Sequence, residues 1–143
     1  MTHLKHMMIV VAALSVAACG PQAPSPSDPG DVINRFMDAV AVEDYTIMGQ
    51  LWGSNDGPAV SWMPPDELRK RLTVMQGFLV HSEYEVLPST PQVSEGGRLI
   101  LRVRVVTLNR CEPVVPFVVV PHRNEWLVES VDLNAVQPTR ICG

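Results

Sequence analysis

The stretch Arg98–Leu108, reading RLILRVRVVTL, decides the fold class. Leu99, Leu101, Val103 and Val105 alternate with Ile100, Arg102, Arg104 and Val106, the period of two that a β-strand requires when one of its faces is buried. Such a face needs a cover, and the cover must come from elsewhere in the chain. Downstream, Pro113–Val120 is apolar and β-branched, and its prolines, Pro113 and Pro116, suit a sheet edge or strand ends. Residues 121–125 (PHRNE) form a turn, and Trp126–Leu133 forms the last strand. Upstream, Ser82–Leu87 is a shorter strand that trails into Pro88 and Pro91. Together these segments predict an antiparallel meander of about four strands.

The cover lies N-terminal to the strands. Val32, Ile33, Phe36, Met37 and Val40 recur at three- and four-residue spacing, one apolar face of a helix, with Asp31 placed to cap it. After the polar interval Glu43–Thr46, Ile47, Met48, Leu51 and Trp52 predict a short second helix capped by Asp44. Gly53–Gly57 (GSNDG) has loop chemistry. Pro64-Pro65-Asp66-Glu67 is a helix start, because proline fits the first turn and acids favour its dipole. Leu68, Leu72, Met75 and Leu79 then line one face, while Arg69, Lys70 and Arg71 read as a solvated face. Helices first and strands afterwards indicate an α+β fold, with N-terminal helices packed on one face of a curved antiparallel sheet.

With those elements in place, Val32–Trp52 (VINRFMDAVAVEDYTIMGQLW), a third helix and the closing Glu125–Leu133 (EWLVESVDL) resemble the nuclear-transport-factor-2-like (cystatin-like) superfamily. The resemblance covers Asp31 to about Val136 and rests on pattern, with the Asp44-Tyr45 break and Trp126 as its best residues. It implies a sheet wrapping a helix around a cavity. Some members are isomerases, dehydratases or hydrolases that carry Asp, His, Tyr or Arg there.

The first residues have a different character. Met1–His6 carry one firm positive charge at Lys5, and Met7–Ala18 (MMIVVAALSVAA) are almost wholly apolar. That run is shorter than the roughly 20 residues that span a hydrocarbon core of about 30 Å, and it has the parts of a secretory signal. Val16-Ala17-Ala18-Cys19 resembles the lipobox of bacterial lipoproteins. The resemblance implies cleavage before Cys19, acylation of its sulfur, and a membrane partner held through lipid. Two or three acyl chains anchor stably where one does not. Residues 19–30 are rich in Pro, Ser, Ala and Gly and read as a tether, because such a stretch cannot bury a core. The expected organisation is therefore a signal at 1–18, a tether at 19–30 and one domain at 31–143. Gly20, where an Asp would mark inner-membrane retention, favours the outer membrane and its periplasmic face.

Composition limits the remaining possibilities. Hydrophobic residues make up 46% of the chain and charged ones 18%, as in an ordinary globular domain. The net charge is −4, and losing Lys5 with the signal makes it more negative. An acidic chain without clustered Lys and Arg is not a nucleic-acid binder. With Cys19 acylated, Cys111 and Cys142 remain as a candidate disulfide in an exported protein. A hairpin turning at Arg123 brings the end of the last strand near Glu112, so the tail can fold back to Cys111. Closing that loop is worth about 3–4 kcal/mol in the chain-entropy model.

The candidate polar residues for a cavity are Asp132, Arg102, Arg104 and Tyr84, with Asp44, Tyr45, His81 and His122 considered beside them. Asp44 reads as a cap and Tyr45 as packing against the sheet. Arg102 and Arg104 share a strand face, which lines a cavity mouth or meets solvent, and Glu129 is a candidate partner across the strands. Asp132 is the first position to test for a base. No triad order, phosphate loop, paired-carboxylate motif or metal-ligand spacing accompanies them, and no cofactor is implied. The expected role is a non-catalytic envelope module that binds a small apolar ligand or an envelope protein; the alternative is a small cavity enzyme of isomerase or hydrolase type.

Overall fold

The computed structural model describes residues 28–136 together with Cys142. The expected signal, the acylation site Cys19 and most of the tether lie outside the described residues. Three helices, α1 (Pro29–Ala41), α2 (Tyr45–Leu51) and α3 (Pro65–Leu79), pack against a strongly curled antiparallel sheet, as the α+β reading requires. The strands are β1 (Gly53–Ser54), β2 (Gly57–Pro58), β3 (His81–Val86), β4 (Gln92–Val93), β5 (Leu99–Thr107), β6 (Val114–His122) and β7 (Glu125–Val131). In the main sheet the order is β3-β5-β6-β7, with β4 also pairing β5; β1 and β2 form a separate small hairpin where a loop was expected.

The helices form for the reasons their spacing suggests. The cap of α1, however, is Asp28 rather than Asp31: its carboxylate accepts from the Gly30 amide at 2.7 Å, and Pro29 sits in the first turn, where a missing N–H costs nothing. Asp44 caps α2 as expected, accepting from the Ile47 amide at 3.0 Å. On α3, Leu68, Leu72, Met75 and Leu79 are all buried.

The sheet turns its alternation inward. Leu101 and Val103 of β5 lie opposite Phe117 and Val115 of β6, and these four are buried with Val105 in the core shared with the helices. In β6, the position of Pro116 corrects the edge assignment: the strand is central, paired on both sides. A residue's N–H and C=O point to the same side of a strand. The carbonyl of Pro116 accepts from the Asp132 amide just past the end of β7, so the missing N–H also points there and costs no bond to β5. A bulge between β6 and β7 at Val118/Val119 pairs Val119 with Val128 and leaves Glu129 as the extra residue.

Candidate functional site

The four residues expected at a cavity are not brought together. Tyr84 faces α1 from β3, and its hydroxyl lies 2.7 Å from the Asp38 carboxylate and 3.1 Å from the Asn34 carbonyl. Partial burial pushes its pKa up to about 12, assisted by the hydrogen bond and charge of Asp38. This is a tie between sheet and helix. Arg102 is exposed on the face of β5 opposite the buried valines. Arg104, on that same outer face, lies 3.0 Å from Glu85 and 3.5 Å from Glu112, and its hydrogen bond to Glu85 raises its pKa. Asp132 is exposed and accepts from the Asn134 amide at 3.1 Å, starting the 3-10 turn Leu133–Val136. The structure thus sets these four groups apart, and of the two readings left open for Arg102 and Arg104 it gives the outer, solvent-facing side of the strand. Strand alternation sends the arginines outward, and the carboxylate is used as a turn cap.

The remaining candidates also have structural work. Glu129 pairs with Arg98, not with Arg102 or Arg104, through contacts of 2.5 and 2.7 Å, and Asn55 accepts from the same guanidinium at 3.2 Å. The bulge sets that pairing, because it places Glu129 out of simple alternation. His81 contacts the Leu79 carbonyl at 2.8 Å and meets Tyr84 edge-on. His122 contacts the Asn55 carbonyl at 3.0 Å. Among the described residues no group of three His, Cys, Asp or Glu is placed to hold a metal ion.

Between helices and sheet the side chains of the described residues form one apolar cluster. Phe36, Ile33, Met37 and Met48 meet Phe117, Val103, Val115 and Val119, each fully buried. Among the described residues no buried side chain is polar or charged. Cys111 and Cys142 form a disulfide with their Cα atoms 5.3 Å apart, within the ordinary range for such a bond. It ties the end of the chain to the connection between β5 and β6.

Sequence reasoning missed an open groove between α2 and α3. Tyr45 and Thr46 of α2, Val60 of the 3-10 turn Ala59–Ser61, and Leu68, Arg69 and Leu72 of α3 line it, with a volume of about 200 Å³. Tyr45 thus lies in this groove, and the Arg69 guanidinium sits 5.2 Å from the centre of its ring, a cation–π contact. Arg69 is therefore placed over a ring, where the sequence reading had only a solvated face. Gly49 makes the close packing possible: a Cβ there would come 2.9 Å from Val60 and 3.2 Å from Leu68. A glycine inside a helix costs about 1 kcal/mol relative to alanine, and here it lets both lining side chains settle onto α2. The only available signal was the glycine itself. Neither family models, curated proteins nor solved structures provide a match to this chain.

Proposed function

We propose that the protein is a lipid-anchored lipoprotein of the cell envelope whose nuclear-transport-factor-2-like domain is a non-catalytic binding module. The observation that carries the non-catalytic part is the lining of the interior, apolar throughout among the described residues. A general acid or base needs a substrate space and a partner that positions it. Asp132, His81 and His122 are instead engaged with backbone groups at the ends of elements. The anchor rests on the charged, apolar and small-residue order ending at Cys19. None of the described helices is long and apolar enough to cross a membrane. The absence of Asp at position 20 favours the outer membrane, periplasmic face.

The test uses the full chain in a Gram-negative host supplied with an alkyne analogue of palmitate. Label and membrane association are expected on the wild type and lost together in Cys19→Ser. A label that survives the substitution contradicts the anchor. Saturable turnover of an ester or enone that disappears in Asp132→Ala contradicts the non-catalytic reading.

A further inference from the structure

The groove between α2 and α3 carries a more specific statement, resting on the binding-module reading. We infer that it is a docking site for a protein partner that inserts one apolar side chain beside a carboxylate. Volume decides the class of occupant. At about 200 Å³ the groove lies below the roughly 300–1,000 Å³ of small-molecule pockets, which leaves room for an anchoring side chain rather than a drug-sized ligand. Protein interfaces concentrate their energy in such anchors, seated in apolar pockets with Trp, Tyr and Arg around them. Here Tyr45 and Arg69 form one wall, and Val60 stands 46% exposed.

Charge decides the chemistry beside the anchor. On the same helix Arg71 is taken by Glu67 at 2.6 Å. Arg69 makes no ion pair among the described residues, and the Tyr45 ring holds its guanidinium at the groove. An apolar recess with a positioned, uncompensated cation complements an apolar side chain next to Asp or Glu. Close packing at Gly49, where a Cβ would come 2.9 Å from Val60 and 3.2 Å from Leu68, fixes the position of those two lining side chains.

The probes are three blocked dipeptides, N-acetyl-Asp-Phe-amide, N-acetyl-Lys-Phe-amide and N-acetyl-Asp-Ala-amide, titrated into the purified protein and followed by methyl NMR. Saturable shifts at Val60, Leu68 and Leu72 are expected with Asp-Phe, about threefold tighter than with Lys-Phe, and absent with Asp-Ala. Arg69→Glu, an exposed substitution, is expected to reverse the charge preference, and Thr46→Trp to block binding by filling the groove. Equal binding of the two charges, shifts centred elsewhere, or a concentration-dependent dimer that competes with the peptides would overturn the inference. Those failures leave the non-catalytic binding-module reading standing, which falls instead on saturable turnover that disappears in Asp132→Ala, so the two readings fail separately.

Discussion

Two apolar regions of this domain are built from the same kinds of side chain and differ in one respect. Between helices and sheet, Phe36 and Phe117 meet from opposite layers, and valines from β5 and β6 complete the packing with no exposure. Between α2 and α3, Leu68 and Leu72 are nearly covered, yet Val60 and Thr46 leave the recess open. The first region is a core and stabilises; the second is a surface shape and can receive something. Apolar composition alone does not distinguish them. What does is exposure: Phe36, Phe117 and the core valines are fully buried, whereas Val60 at the groove is 46% exposed.

The comparison can be broken most forcefully at the core. Phe117→Ala removes a fully buried ring and is expected to cost about 3–5 kcal/mol, read as a lower denaturant midpoint. A loss below 1 kcal/mol means that the interior is loosely filled. Next in size is the disulfide, which closes a loop between residues 31 apart. Cys111→Ser with Cys142→Ser is expected to cost about 3–4 kcal/mol in the chain-entropy model, and reducing agent should lower wild-type stability to match. On the groove side, Asp44→Ala removes the cap of α2, for an expected loss of about 1 kcal/mol in urea unfolding.

Tyr84 provides a finer probe of how the sheet is tied to α1. Its pKa rises from 10.0 to about 12 on folding. The folded state therefore holds this proton more tightly than the unfolded chain. The contribution is fully present below pH 10 and is lost as pH rises through about 12. Stability measured across that window should fall less steeply in Tyr84→Phe than in wild type. The smallest expected effect is Arg69→Ala, whose side chain is exposed; it should change stability by under about 0.5 kcal/mol while weakening capture of an acidic peptide.

The core was the most legible part of the chain, because periodicity reports directly on burial. The four leucine and methionine positions of α3 and the inward set of β5 are those the spacing marks. Where reading failed, a second element decided the outcome. Pro116 argues for an edge only until the neighbour's length is known, since its missing N–H points past the end of β7. Asp28 and Pro29 carry a good helix start, hidden by the proline-rich composition before them. Arg98, not Arg102 or Arg104, meets Glu129 because a bulge shifts β7 by one residue, and nothing local marks a bulge. The groove needed Gly49, Val60 and α3 to be placed in space together.

Xenon under pressure, followed by methyl NMR, tests the distinction between the two regions most directly, since xenon enters apolar space that is empty and stays out of space that is filled. The account predicts shifts confined to Val60, Leu68 and Leu72. Saturable shifts at Val103, Val115 and Val119 would contradict it, because they would place an unfilled cavity between helices and sheet.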